Sequence, residues 1–194
     1  MKIAALAVVV TTIVLAGRTG LAEAGSLVPY QATGWRYVQI GPQDPGQIAE
    51  EFFAPGFDDS EWATGRAAFG WVGYGCGEIE LTIHTHWDAS TSMLLRREFF
   101  ADPLVPVVIH FAVDNDANIW VNGVLVASVP HAFCPVLDEF SVVVPANVIQ
   151  LGSNLIAVQA MDRGGFAYFD ARIEGDSPTP TLPSSWGRLK GTYR

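Results

Sequence analysis

Between residues 105 and 113 the side chains alternate. Val107, Ile109, Phe111 and Val113 fall on one side of an extended chain, with Val108, His110 and Ala112 on the other. Period two marks a strand with one face turned to a core. The same reading gives strands at Trp35–Ile40, Leu94–Phe100, Asn118–Val121, Val124–Val129, Phe140–Val144, Leu155–Met161 and Ala167–Ile173. Gly41-Pro42, Asp102-Pro103, Gly152 and Gly164-Gly165 punctuate them as turns. Asn122-Gly123 is the strongest two-residue hairpin signal, because its turn needs positive φ at both positions. Ile48–Phe53 and Asn147–Gln150 suggest short helical turns, and Gly25–Gly34 reads as a short lead. About eight antiparallel strands separated by turns predict an all-β sandwich.

Charge and cysteine usage add a compartment. The chain has 194 residues, enough for one self-sufficient core, and a formal net charge of −9. Nucleic acid is excluded as a partner, since phosphate binding needs clustered cations. Lys occurs only at Lys2 and Lys190, and the body between carries six Arg. Residues 1–24 read as a secretory signal peptide: Lys2, the apolar run Ile3–Ala16, then Ala22-Glu23-Ala24 for cleavage. An uncleaved N-terminal anchor is the alternative, and no other segment is long enough to span a membrane. The mature protein is therefore expected outside the cytoplasm, secreted or on the cell surface. Cys76 and Cys134 both lie in turn-like sequence, and export favours a disulfide between them. Residues 175–185 form a Pro/Ser/Thr linker. It leads to a basic aromatic tail at 186–194, which is expected either to engage a sorting receptor or anionic surface, or to fray.

Several motifs carry a family likeness. Phe57-Asp58-Asp59-Ser60-Glu61-Trp62, Phe69-Gly70 and Leu95-Arg96-Arg97-Glu98-Phe99 resemble the opening of galactose-binding-like β-sandwich (jelly-roll) domains. Asp114-Asn115-Asp116, Ile119–Val124, Gly152–Val158, Asp162–Gly165 and Tyr168–Ile173 resemble the second half of that fold, so the likeness covers residues 35–174. Such domains include the non-catalytic sugar-binding domains of glycoside hydrolases. The resemblance implies a fold more strongly than a ligand. It also implies that no cofactor is required and that loop carboxylates can hold a structural calcium ion, with Asp58, Asp59 and Asp170 as the candidates.

The motif residues also have structural readings. Asp58-Asp59-Ser60 is turn chemistry, and Trp62 and Phe69 are expected to plug the sandwich. Arg96 and Arg97 face opposite ways along a strand, so an inward one needs a carboxylate partner, with Asp114, Asp116 and Asp162 as candidates. His84, His86 and Asp88 share one strand face and could meet a metal, or simply form an exposed polar face. No Ser-His-Asp set or nucleophile elbow is assignable, which argues against an enzyme. Trp71, Tyr74 and Trp87 lie near the expected disulfide loop, which would bring His131 and Phe133 beside them. Aromatic rings stack on the apolar faces of sugars, and equally they pack around a disulfide. The leading expectation is a non-catalytic module binding carbohydrate or a cell-surface polymer. A structural or adhesive spacer is the alternative, and an unrecognised hydrolase a weaker one.

Overall fold

The computed structural model describes residues 25–41, 51–71, 73, 75–103, 106–131 and 133–175. The leader at 1–24, the tail at 186–194, nearly all of the linker and Tyr74 lie outside these residues. Strands form at β1 (Ser26–Val28), β2 (Thr33–Ile40), β3 (Ala63–Arg66), β4 (Phe69–Gly70), β5 (Thr85–His86) and β6 (Ser92–Ala101). They continue with β7 (Val107–Asp114), β8 (Asp116–Val121), β9 (Val124–Val129), β10 (Phe140–Val144), β11 (Gly152–Met161) and β12 (Tyr168–Gly175). Each of the eight strands expected from alternation is present. The additional β1, β3, β4 and β5 are too short to display a period. Residues 25–34, read as a lead, thus contribute a strand. Residues 147–150 form a turn rather than a helix, as do residues 51–53, the described part of the other expected helical turn. Among the described residues the helical element is a 3-10 turn at Gly77–Thr82, just after Cys76.

The strands make two sheets. One runs β10-β7-β12-β4-β5, with β1 also on β12; the other runs β3-β2-β6-β11-β8-β9. Pairing is antiparallel except between β4 and β5, which are parallel. The connection between those two strands crosses over through the 3-10 turn, and a parallel pair requires such a crossover. Residues 25–28 and 173–175 adjoin: Ser26 is opposite Glu174, and the Gly175 amide donates to the Gly25 carbonyl at 2.8 Å. Asn122 (φ 50°) and Gly123 (φ 85°) make the two-residue turn between β8 and β9.

The core lies between the sheets. Val107, Ile109, Phe111 and Val113 all point into it, as their alternation requires. Trp35 is fully buried at its centre, with Phe69 and Phe169 edge-on at 6.5 and 6.4 Å. Such edge-to-face pairs contribute about 1 kcal/mol each beyond area burial.

Each sheet also has its outer face partly covered. On the second sheet, Phe52, Phe53, Phe57 and Trp62 fold back over Ile40, Leu94, Ala157 and Trp120. Trp62 belongs to this cover, packed on Phe52 and Phe57, and not to the sandwich interior; Phe69 alone of the pair is a core plug. On the first sheet, Ala68, Ala112, Phe166 and Tyr168 form a small cluster under Cys76, Ile79 and Ile83. The Cys76–Cys134 disulfide is formed, with an S–S distance of 2.06 Å.

Candidate functional site

The disulfide loop is shaped by a carboxylate. The amides of Gly73, Gly75 and Cys76 donate to Glu80 at 2.7, 2.6 and 2.6 Å, so the loop wraps around that side chain. Positive φ at Gly73 (101°) and Gly75 (96°) turns successive amides inward, a conformation that glycine adopts at no steric cost.

The aromatic residues around this loop divide. Trp71 is 44% exposed, and its ring lies 6.3 Å from that of His86. Phe133 is 79% exposed. His131 is partly buried, 3.5 Å from Glu139 and edge-on to Phe140. Trp87, a candidate binding residue, is instead wholly buried in the core, and its indole N–H donates to Thr91 at 2.9 Å. With both ring and N–H committed, it offers nothing to a ligand. Tyr74 lies outside the described residues.

The three carboxylates considered for calcium do not converge. Asp58 is exposed and accepts from the Ser60 amide at 3.0 Å; the Ser60 side chain and then this amide hold its carboxyl below the usual range. Asp59 accepts from Arg96 at 2.6 Å. Asp170 is buried on β12 in the other sheet, accepting from the amides of Gln31 and Ala171. Burial pushes its carboxyl up to about 7, against the pull of those amides. A set split between two sheets does not fit one ion. Among the described residues no group of three or more His, Cys, Asp and Glu is placed to hold a metal. His86 and Asp88 pair at 2.7 Å, but His84 turns away to Gln31 at 2.9 Å.

A different site appears at one end of the second sheet. The ladder between β2 and β6 stops at Arg36 opposite Arg96, whereas β6 stays paired with β11 as far as Ala101 opposite Gly152. Beyond Arg96, therefore, β6 has no β2 partner on one side. There a cleft of about 500 Å³ opens, lined by Thr33, Gly34, Arg36, Arg97, Glu98, Gln150 and Ser153, with Pro55 and Phe57 as apolar wall. None of the aromatic candidates lines it.

Two buried networks fix its shape. Arg96, 3% exposed, donates to Asp59 and to the carbonyls of Phe52, Ala54 and Phe57, with its guanidinium 5.3 Å from the Phe57 ring. Its partner is thus Asp59, not Asp114, Asp116 or Asp162. Arg96 points to the outer face of the sheet, under the 51–62 cover, while those three acids lie near the opposite end of β11. Asn154, 2% exposed, accepts from Asn122 at 2.8 Å and from the Gln150 amide at 2.7 Å. Asn122 in turn accepts from the Leu155 amide and donates to Val148. The N-G and G-x-N motifs therefore meet in one hydrogen-bonded knot, whose amides are consumed internally.

Arg36, Arg97 and Glu98 remain available at the rim. Arg36 is exposed, and donates to the Trp62 carbonyl and the Thr64 hydroxyl. Glu98, also exposed, lines the same cleft. Arg97 lies over the Trp35 ring at 5.9 Å, and burial lowers its guanidinium from the ordinary arginine value. The cleft escaped the sequence reading, although Leu95–Phe99 was prominent as a fold motif. The usable signal was scarcity: three of the six body arginines, Arg36, Arg96 and Arg97, line this one place.

With the geometry in hand, solved structures supply a comparison. No family model matches the chain, and no curated protein matches it. A glycosyl hydrolase family 2 member from Bacteroides cellulosilyticus superposes with a TM-score of 0.51 at 19% identity, over 73% of this chain. Bacteroides uniformis β-glucuronidase does so with a TM-score of 0.51 at 13% identity, again over 73% of this chain. The chain spans 20% and 17% of those two enzymes. The shared fold is the β-sandwich domain of such hydrolases, in agreement with the sequence motifs. At these identities the likeness shows the fold alone.

Proposed function

We propose that the chain is an exported, non-catalytic accessory module that binds carbohydrate or another extracellular polymer in the cleft beside β6. The observation that carries this reading is the makeup of the cleft. Donors and acceptors on Arg97, Glu98, Gln150 and Ser153, with the exposed Arg36 at the rim, surround an apolar wall at Pro55 and Phe57. Hydroxyl-rich ligands need that combination of exchangeable hydrogen-bond partners and a flat apolar surface. A sandwich fold shared with glycoside hydrolases over a small part of their length supports an accessory role. The disulfide supports export, and among the described residues no helix is long and apolar enough to cross a membrane. Asp59 is tied to Arg96, which leaves Glu98 without a second free carboxylate in the cleft for glycosidic acid–base chemistry.

Screening the full chain on a glycan array tests the proposal. Retention of at least one saccharide, lost in the Arg36→Ala/Glu98→Ala double variant at unchanged melting temperature, is the expected result. Binding to no saccharide overturns it. The spacer alternative draws on one observation, the commitment of Trp87 to the core, and gains if the array is blank.

A further inference from the structure

Arginine is rationed in this acidic chain, and its placement is informative. Of the six arginines between residues 25 and 175, five have acceptors. Arg66 is held by Gln31, Arg96 by Asp59, Arg163 by Asp116 and the His131 carbonyl, and Arg172 by Asp138 and Glu174. Arg36 has a carbonyl and a hydroxyl. Arg97 differs: its Nε is buried without a hydrogen-bond partner, and its recorded contact is the Trp35 ring. An arginine partly withdrawn from water with no counter-ion is costly unless something else supplies the charge.

The surroundings of Arg97 are those of a seat. Gly34 faces it across the cleft with φ 82°, and a Cβ there would stand 3.4 Å from Arg97 Nη1. A side chain at 34 would touch the guanidinium, and the positive φ would strain the backbone. Trp35 supports the other side of the group. Arg36 puts a second cation on the same cleft, while Glu98 adds one negative charge next to Arg97 in sequence.

We infer that the cleft selects acidic saccharides, with the oxyanion of one sugar unit seated against Arg97. This inference rests on the saccharide-binding reading and narrows its ligand class. A carboxylate or sulfate matches the planar fork of a guanidinium, which donates two parallel hydrogen bonds. Glu98 adds a negative charge to the same cleft, which weighs against ligands of high charge density. With a net charge of −9, densely charged polyphosphates and nucleic acids are repelled more strongly than a saccharide that carries one oxyanion per sugar unit.

Calorimetric titration of the full chain with three probes of equal length tests it: an oligogalacturonate, a sulfated galactan fragment and a neutral galactan fragment. Either acidic probe should bind at least about tenfold more tightly than the neutral one, and the preference should shrink in high salt. The stronger acidic probe names the oxyanion. Arg97→Gln should abolish the preference, Arg97→Lys should restore part of it, and Glu98→Gln should tighten acidic probes alone. Glu98 is exposed, so its variant keeps the test open if changes at Arg97 prevent folding. Equal affinity for neutral and acidic probes, or an acid preference untouched by Arg97→Gln and Glu98→Gln, overturns the inference and leaves saccharide binding standing. Failure of all three probes, together with a blank array, overturns both.

Discussion

Arg96 Nε donates to Asp59 Oδ2 at 2.6 Å, joining the middle of β6 to the segment that covers the outer face of its sheet. The Arg96 side chain is 4% exposed and that of Asp59 26%, so the pair is shielded from solvent. Three backbone carbonyls complete the guanidinium's bonds. The 51–62 segment owes its position to this one side chain as much as to its aromatic rings.

Asp59→Ala should accordingly cost about 3 kcal/mol, because it strands a buried charge. Arg96→Met should also be costly, since it leaves the Asp59 carboxylate and three backbone carbonyls without their donor, whereas the double variant leaves no charge behind and should cost less than the sum of the two. Urea denaturation of the two single variants and the double variant checks this. Strict additivity would show that the pair does not couple.

Reduction of the Cys76–Cys134 bridge should lower stability. The two cysteines are 58 positions apart, and loop entropy sets an upper figure of about 4 kcal/mol for a loop of that size. Calorimetric melting of the Cys76→Ser/Cys134→Ser variant gives the value. An unchanged melting temperature would mean that the loops are held by Glu80 and the aromatic cluster alone.

Trp71→Ala and Trp87→Ala should separate cleanly. Trp87 fills the core, and its truncation is expected to cost about 3–5 kcal/mol. Trp71 is substantially exposed, and its loss should shift the melting temperature only slightly. Comparable destabilisation by both would place Trp71 in a packed environment that its exposure denies.

Stability should fall as pH rises from the ordinary carboxylate range towards neutrality. Burial pushes Asp170 up to about 7 and Asp114 up to about 6, with the Asp162 carboxylate adding to the latter. The folded state therefore binds protons more tightly than the unfolded chain between roughly pH 4 and 7, and ionisation in that window favours unfolding. On the acid side Asp138 acts in the opposite sense. Arg172 holds it low, so its contribution is lost as pH drops through its folded value. Asp170→Asn should flatten the decline above pH 5, measured as denaturation midpoints across pH. An unchanged slope would remove Asp170 as its source.

Period-two patterning made the long strands legible because each has one face in the core. Val124–Val129 and Phe140–Val144 appear with the boundaries read from sequence. β4 and β5, of two residues each, carry no period; they are set by pairing, β4 with both β12 and β5. Trp62 and Arg96 show where patterning stops. Arg96 is buried under a segment folded back over a sheet, and Trp62 is partly buried within that segment; alternation along a strand cannot report what covers its outer face. Trp87 is ambiguous in the sequence for a related reason, since an aromatic near the disulfide loop reads alike whether it faces water or core; the structure takes the packing alternative. The cleft was hidden because its boundary is the end of a ladder, a property of register between β2 and β6 and not of either strand alone.

The pairing of β1 with β12 has a mechanical consequence. Because Gly25 and Gly175 lie side by side, a chain attached before β1 and one attached after β12 would leave from the same corner. Tension drawn between them would not shear the sandwich along its length. It would part β1 from β12 by opening hydrogen bonds one after another from that corner, the direction in which a ladder resists least. The first event under load would be the peeling of a three-residue strand, with the β2–β6–β11 ladder and the cleft beside it still intact.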